Sequence, residues 1–300
     1  MFFILGIIIL NYNNWEVTIK CVESIESKCQ LKYKIFIVDN NSNNDSFYML
    51  SKKYNGNSKI EIIKNKVNLG YAAGNNVGIK KAINEGIKYC IITNNDVLFK
   101  ENSIENLYNF IKEEPDAAVV GPKILSTNGN IQHSSLLSRI RRIDAFEIGR
   151  LFKQKQLDEE NEKNPSIVYS VSGSCFIIDV NKFIQIKAFD EGTFLYNEEN
   201  ILGQQISQSL YHVYFLPNAE IIHEHGASTG KMNLFVCTEY IKSSLYYWKK
   251  YRNASKIMLY CIYYVYVIKI TLKSIFVKEL KNGVRKFRKD SYNYLRGLFN

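Results

Sequence analysis

Lys34-Ile35-Phe36-Ile37-Val38-Asp39-Asn40-Asn41-Ser42 decides how the rest of the chain is read. A short β-branched and aromatic run that stops at a carboxylate and gives way to turn-forming Asn and Ser reads as a buried strand opening into a loop. The same cadence recurs on both sides. Ile4 to Leu10 runs into Asn11-Tyr12-Asn13-Asn14, Ile60 to Ile63 is a third run, Tyr89 to Thr93 ends at Asn94-Asn95-Asp96, and Ala117 to Val120 is the fifth. Trp15, Ile19, Val22 and Ile25 between the first two runs recur at helical spacing, as do Ile79, Ala82, Ile83 and Ile87 between the third and fourth. Strands alternating with amphipathic helices predict an α/β fold built on a mostly parallel sheet with crossover helices. Ligands of such sheets bind beyond the carboxyl ends of the strands, which directs attention to Asn11, Asp39 and the group Asn94-Asn95-Asp96.

With 300 residues and 46% hydrophobic content the chain can bury a full core. Three regions are expected: a regular α/β region over 1–125, a less regular region over 126–232 that includes a charged insertion near 139–166, and a helical, aromatic and basic tail over 233–300. The apolar start Phe2 to Leu10 lacks a basic flank and a small-residue cleavage site, so it reads as the first strand and not as a signal peptide. The run Ile257 to Ile268 stops at Lys269, short of the roughly 18–20 apolar residues that a spanning helix needs. Six scattered cysteines with no CxxC pair read as reduced, mostly buried thiols. The net charge of +10 is concentrated in the tail, where Lys and Arg interleave with Tyr, Ile, Leu and Val. That pattern favours an anionic membrane surface over nucleic acid.

Five groups could carry chemistry. Asp39 can accept hydrogen bonds from a nucleobase or a ribose hydroxyl, or simply form an Asx turn. Asn68-Leu69-Gly70-Tyr71-Ala72-Ala73-Gly74-Asn75-Asn76-Val77-Gly78 leads into a helix without the GxGxxG spacing; its glycines admit either a nucleotide or close helix packing. Asp96 can hold Mg2+ or Mn2+ against a diphosphate. Glu198-Glu199 opens a helical pattern, where acids favour the dipole and where a partly desolvated general base would also sit. His223, after the strand-like Ala219 to Ile222, is a metal ligand or a packed turn residue.

Taken in order, strand-Asn-Tyr-Asn, Val38 to Ser42, the Asn68 to Gly78 block, Asn94-Asn95-Asp96, Ser172-Gly173-Ser174, Phe189-Asp190-Glu191, Tyr196-Asn197-Glu198-Glu199 and His223-x-x-Gly226-x-Ser228 resemble the family 2 glycosyltransferases, in particular their bacterial rhamnosyltransferase-like branch. The resemblance covers roughly residues 5 to 230. It implies a GT-A fold, with 1–125 as the nucleotide-sugar-binding region and 126–232 as the acceptor-binding and catalytic region. It also implies inverting transfer of a sugar from a UDP- or dTDP-linked donor to a hydroxyl of a lipid-linked or polysaccharide acceptor in cell-surface glycan synthesis, with rhamnosyl transfer as one form. Carried over by position, Asn11, Asp39, Asn68, Gly70, Gly74, Asn75, Asn95 and Asp96 would bind the nucleotide sugar. Asp96 and His223 would hold Mn2+ or Mg2+, Glu199 or its neighbour Glu198 would be the base, and Asp190 and Glu191 would shape the acceptor or donor-sugar site.

The run Glu198-Glu199-Asn200-Ile201 departs from the family's Glu-Asp pair, and Gln205 stands where an Arg is usual. Two rivals follow: a nucleotidyltransferase, which would show a glycine-rich basic loop where Asn11 to Trp15 stands, and a non-catalytic glycan-binding or scaffold protein with a degenerate GT-A fold. The expected location is cytoplasmic, at the inner face of the membrane through the tail.

Overall fold

The computed structural model describes residues 3–132, 141–146, 163–224 and 233–299. The first half alternates as expected: β1 (Leu5–Asn11), α1 (Trp15–Lys28), β2 (Tyr33–Asp39), α2 (Ser46–Lys53), β3 (Ile60–Lys64), α3 (Gly70–Asn84) and β4 (Tyr89–Asn94). Then come β5 (Val97–Phe99), α4 (Ser103–Glu113), β6 (Ala117–Leu125), β7 (Ser166–Val168), β8 (Cys175–Asp179), α5 (Val180–Gln185), α6 (Glu198–Ile206) and β9 (His212–His223). The chain closes with α7 (Leu234–Lys250), α8 (Lys256–Phe276), the short α9 (Lys278–Lys281) and α10 (Val284–Gly297).

The strands form one sheet in the order β3-β2-β1-β4-β8-β6-β9-β5, with β7 on β9. Pairing is parallel from β3 to β4 and again between β6 and β9, whereas β8, β5 and β7 enter antiparallel. β1 shows why the middle of the sheet is apolar on both sides. Its alternate residues face opposite layers: Ile7 and Ile9 pack under α1 and α4, and Ile8 packs under α3. Two of the α3 glycines serve that packing, because a methyl added at Gly78 would stand 2.6 Å from Ile8 and one at Gly74 2.7 Å from Leu10.

A third apolar cluster joins Ile201 of α6 to Ile241, Leu245 and Trp248 of α7, to Leu259, Ile262 and Tyr266 of α8, and to Phe287 and Leu295 of α10. Here the sequence reading needs correction. α8 does not end near Lys269 but continues through Lys273 to Phe276, 21 residues in all, and by length and composition it is long and apolar enough to cross a bilayer. A lysine whose aliphatic stem lies along the helix does not interrupt it. All six cysteines are free thiols, and Cys21, Cys90, Cys175 and Cys237 are buried. The charged insertion lies largely outside the described residues.

Candidate active site

β1 and β2 end side by side on Asn11 and Asp39, both fully buried. Asn11 Nδ2 donates to Asp39 Oδ2 at 2.7 Å, the Ser42 hydroxyl donates to the same oxygen at 2.6 Å, and the Ser42 N–H donates to Oδ1 at 3.0 Å. Thr18 Oγ1 donates to Asn11 Oδ1 at 2.7 Å, and Asn95 Nδ2 donates to Thr18 Oγ1 at 3.0 Å. A buried carboxylate is tolerable when its oxygens are hydrogen-bonded, so Asp39 is held at a fixed position from β1, α1 and the β4 turn at once.

Asn40 does the same for the next loop. Its Oδ1 accepts from Asn65 Nδ2 and from the Leu69 N–H, each at 3.0 Å, and its Nδ2 donates to Asn68 Oδ1 at 2.9 Å and to the Gly70 carbonyl at 3.0 Å. This sets the first turn of α3. Gly70 has φ +77°, and a methyl there would sit 2.2 Å from the Phe194 carbonyl oxygen, which accepts the Tyr71 N–H at 2.9 Å. Gly74 faces the sheet. Asn75 is buried, its Nδ2 donating to the Tyr71 carbonyl at 3.0 Å while its Oδ1 has no partner.

Asp96 occupies the turn between β4 and β5, and His223 is the last residue of β9. Because β5 pairs with β9 and sets Val97 opposite His223, the two side chains meet, His223 Nε2 lying 3.2 Å from Asp96 Oδ1. Both are about nine-tenths buried, and the Glu224 N–H also donates to the Asp96 carbonyl at 2.9 Å. Asp96 Oδ1 makes no hydrogen bond. A buried carboxylate oxygen beside an imidazole nitrogen is a donor pair that suits Mn2+ better than the all-oxygen preference of Mg2+. Among the described residues no three His, Cys, Asp or Glu side chains gather to hold a metal, so the remaining donors would be phosphate oxygens and water. Gly226 and Ser228 of the expected motif lie outside the described residues.

Glu198 and Glu199 begin α6 after two non-glycine residues in the left-handed region, Tyr196 at φ +74° and Asn197 at φ +67°. Such strain persists where the surroundings over-determine it, and it is common at functional sites. Burial and then the neighbouring Glu199 push the Glu198 carboxyl up to about 8. Burial raises Glu199 as well, while its own backbone N–H and that of Gly173 pull the other way.

The two acids are not equivalent. Glu198 is 7% exposed and its Oε1 has no partner. Glu199 is half-buried and lines a cavity of about 240 Å³ together with Tyr196, Tyr240, Trp248, Tyr266 and Lys269. Gly173 lies against it, within 3.6 Å of Glu199 Oε1 for an added methyl. Tyr71 Oη donates to the Gly173 carbonyl, and burial together with both glutamates drives the Tyr71 phenol well up. The Asn94 N–H donates to the Ser174 carbonyl at 2.8 Å. The Gly173-Ser174 step therefore connects the Asp96 turn to Glu199 within a few bonds.

Asp190 and Glu191 stand elsewhere. The Asp190 carboxylate accepts from Tyr246 Oη at 2.9 Å, from Lys250 Nζ at 2.7 Å, from the Tyr251 hydroxyl and from the Gly192 N–H at 2.9 Å, which binds its loop to the end of α7. Glu191 accepts from Asn76 Nδ2 at 2.8 Å. Neither lines the cavity at Glu199. Gln205 donates to the carbonyls of Ile186 at 2.9 Å and Ala188 at 3.3 Å, supporting a turn in which Lys187 and Ala188 both have positive φ. Sequence reasoning missed Tyr71, Gly173 and the aromatic wall. Tyr71 and Gly173 lay inside quoted motifs without a role, and Tyr240, Trp248 and Tyr266 read only as part of a membrane-facing tail.

A family model described as glycosyl transferase family 2 matches residues 6–185. The N-acetylglucosaminyl-diphospho-decaprenol L-rhamnosyltransferase of Mycobacterium tuberculosis is 24% identical over 243 residues, 76% of this chain and 78% of that protein. The crystal structure of GalNAc-T7 with UDP, GalNAc and Mn2+ is similar at a TM-score of 0.64 and 16% identity, covering 97% of this chain and 54% of that one. S. aureus TarS 1–349 in complex with UDP-GlcNAc is similar at a TM-score of 0.55 and 13% identity, covering 93% of this chain and 74% of that one. At these identities the structural likeness speaks for the fold alone, a GT-A arrangement of sheet and helices.

Proposed function

Because the chain belongs to glycosyl transferase family 2, a family of enzymes that move sugars from nucleotide donors, we propose that it transfers a sugar from a UDP- or dTDP-linked donor, with inversion, to a hydroxyl of a lipid-linked or polysaccharide acceptor. The observation that carries this reading is the asymmetry of the glutamate pair: Glu199 lines the cavity of about 240 Å³, whereas Glu198 reaches only a void of about 10 Å³ that both acids share. Glu199 is the general base. It takes the proton from the acceptor hydroxyl as that oxygen attacks the anomeric carbon opposite the leaving diphosphate, and burial matches its basicity to that task. Glu198, buried behind it, raises the pair's proton affinity by like-charge proximity.

Asp39 and Asn11 receive the base and ribose of the donor, with Asn95, Asn68, Gly70 and Asn75 setting the walls. Asp96 and His223 would hold Mn2+ or Mg2+, which would supply positive charge to offset that of the leaving diphosphate. Asp190 and Glu191 act on the sugar site through the loop they brace, from Phe189 to Phe194. The M. tuberculosis relative, an N-acetylglucosaminyl-diphospho-decaprenol L-rhamnosyltransferase, supports rhamnosyl transfer to a lipid-linked acceptor. The basic helices from α7 onward would bring the enzyme to the inner membrane surface.

A thermal-shift panel of UDP and dTDP with and without Mn2+, on the wild type and on Asp96→Ala, tests the donor half. A metal-dependent rise with one nucleotide that Asp96→Ala abolishes is the expected result. No rise with either nucleotide would defeat the proposal and favour a glycan-binding protein without turnover.

A further inference from the structure

Helix α8 is apolar on two opposite faces. One face, with Leu259, Ile262, Tyr263 and Tyr266, is packed in the cluster shared with α7 and α10. The other carries Ile257 at 77% exposure, Ile268 and Leu272 at 56%, Ile275 at 66% and Phe276 at 87%. Positions 257, 261, 264, 268, 272 and 275 follow the three-and-four spacing of a single helical stripe. A contiguous exposed apolar surface of this kind marks an interaction face. Its neighbours on the same helix are cationic: Lys256, Lys269 and Lys273. Its occupant is therefore apolar and anionic together.

The cavity beside Glu199 reaches this stripe. Val265 lines the cavity and is also 38% exposed at the stripe's edge, and Lys269, one turn further, lines the cavity too. Burial and then Lys273 hold the Lys269 ammonium below its ordinary pKa. Tyr240 stacks on Tyr266 at 5.4 Å between centroids in the cavity wall, with Trp248 beside them, offering flat apolar surface to a sugar ring. At about 240 Å³ the cavity is below the ~300 Å³ at which pockets for whole ligands usually begin. One sugar fits, and the rest of an acceptor must lie outside.

Resting on the reading of Glu199 as the base of a glycosyl transfer, we propose that this cavity receives the terminal sugar of a lipid-diphosphate-linked acceptor, with the diphosphate at Lys269 and the lipid along the exposed stripe of α8, which lies in the plane of the bilayer surface. A crossing orientation of α8 is disfavoured by what it is tied to. Tyr263 Oη donates to the Arg288 carbonyl at 3.1 Å, and the Arg288 guanidinium donates to Thr271 Oγ1 at 2.8 Å, so a crossing α8 would draw the basic α10 into hydrocarbon.

Farnesyl diphosphate, a short lipid diphosphate, is the probe. The chain has two tryptophans, so Trp15→Phe leaves Trp248 in the cavity wall as the reporter. Farnesyl diphosphate should change Trp248 fluorescence and saturate with UDP and Mn2+ already bound, about tenfold tighter than farnesol or inorganic pyrophosphate. Lys269→Gln should weaken it about tenfold. Leu272→Ser with Ile275→Ser, both at exposed positions, should weaken it and also reduce sedimentation with phosphatidylglycerol vesicles. An unchanged affinity in Lys269→Gln, or displacement of farnesyl diphosphate by UDP, overturns the inference. Failure of the nucleotide thermal shift instead sinks the parent reading, whereas an intact shift with no farnesyl diphosphate binding sinks this one alone.

Discussion

The two halves of the site are built on opposite terms. At the ends of β1 and β2 the buried polar groups satisfy one another: the Asp39 carboxylate accepts from Asn11 and twice from Ser42, and the Asn40 side chain makes four hydrogen bonds. At the start of α6, Glu198 Oε1 and Asn197 Nδ2 are buried without hydrogen-bond partners, and Tyr196 and Asn197 both have positive φ. The first half is a rigid mould whose polarity is fixed before any ligand arrives. The second keeps its carboxylates in an unfavourable state, and that raises their basicity.

Glu199→Gln should break the contrast most sharply, since it removes the base and leaves the mould. Product formation should fall about 10²–10⁴-fold, the usual range for a general base, while the nucleotide-dependent thermal shift stays. A variant that kept more than a tenth of wild-type turnover would move the base to Glu198 or elsewhere. Gly70→Ala attacks the junction of the halves, where a methyl would stand 2.2 Å from the Phe194 carbonyl at φ +77°. A loss of about 3 kcal/mol is expected from strain and overpacking, seen as a lower denaturation midpoint.

Asp39→Asn keeps the side chain's size but removes its charge and sets an amide NH2 against a donor, either the Ser42 N–H or Asn11 Nδ2. Donor affinity should weaken about ten- to a hundredfold, measured by calorimetric titration, with little change in the pH profile of turnover. That profile belongs to the other half. With both carboxyls raised by burial, and Glu198 raised further by Glu199, the base is protonated in acid and turnover should climb with pH above the ordinary carboxylate range. Glu198→Gln removes the like charge, so the climb should begin at lower pH; a climb left in place would separate Glu198 from the base.

Asp190 supplies the smallest effect and the opposite sign. Burial would raise its carboxyl, but Lys250, Tyr251, the Gly192 N–H and Tyr246 outweigh that and hold it below its ordinary value. Its contribution is therefore present above the unfolded carboxylate range and is lost as pH falls through the depressed folded pKa. Asp190→Asn should cost about 1–2 kcal/mol near neutrality, with the difference from wild type shrinking in strong acid during urea denaturation.

Much of the donor half was legible in the chain, for a local reason. A strand that ends on Asn11, Asp39 or Asn94 puts that residue at the carboxyl edge of the sheet whatever else the protein does. Glu198-Glu199 was found by its pattern, but the pattern could not rank the pair, because facing the cavity depends on α7 and α8 closing over the start of α6. Asp190 read as a site residue, yet its partners come from α7, more than fifty positions away.

By itself, then, the sequence determined the alternating strands and helices, the sheet edge and the polar residues upon it, since hydrophobic period and turn chemistry act within a few residues of chain. Tertiary structure alone decided that Asp96 meets His223 through the β5–β9 pairing, that Glu199 and not Glu198 lines the cavity, and that an aromatic tail supplies that cavity's wall. Those outcomes rest on long-range packing, in which burial, charge and shape are set by residues the local pattern never touches.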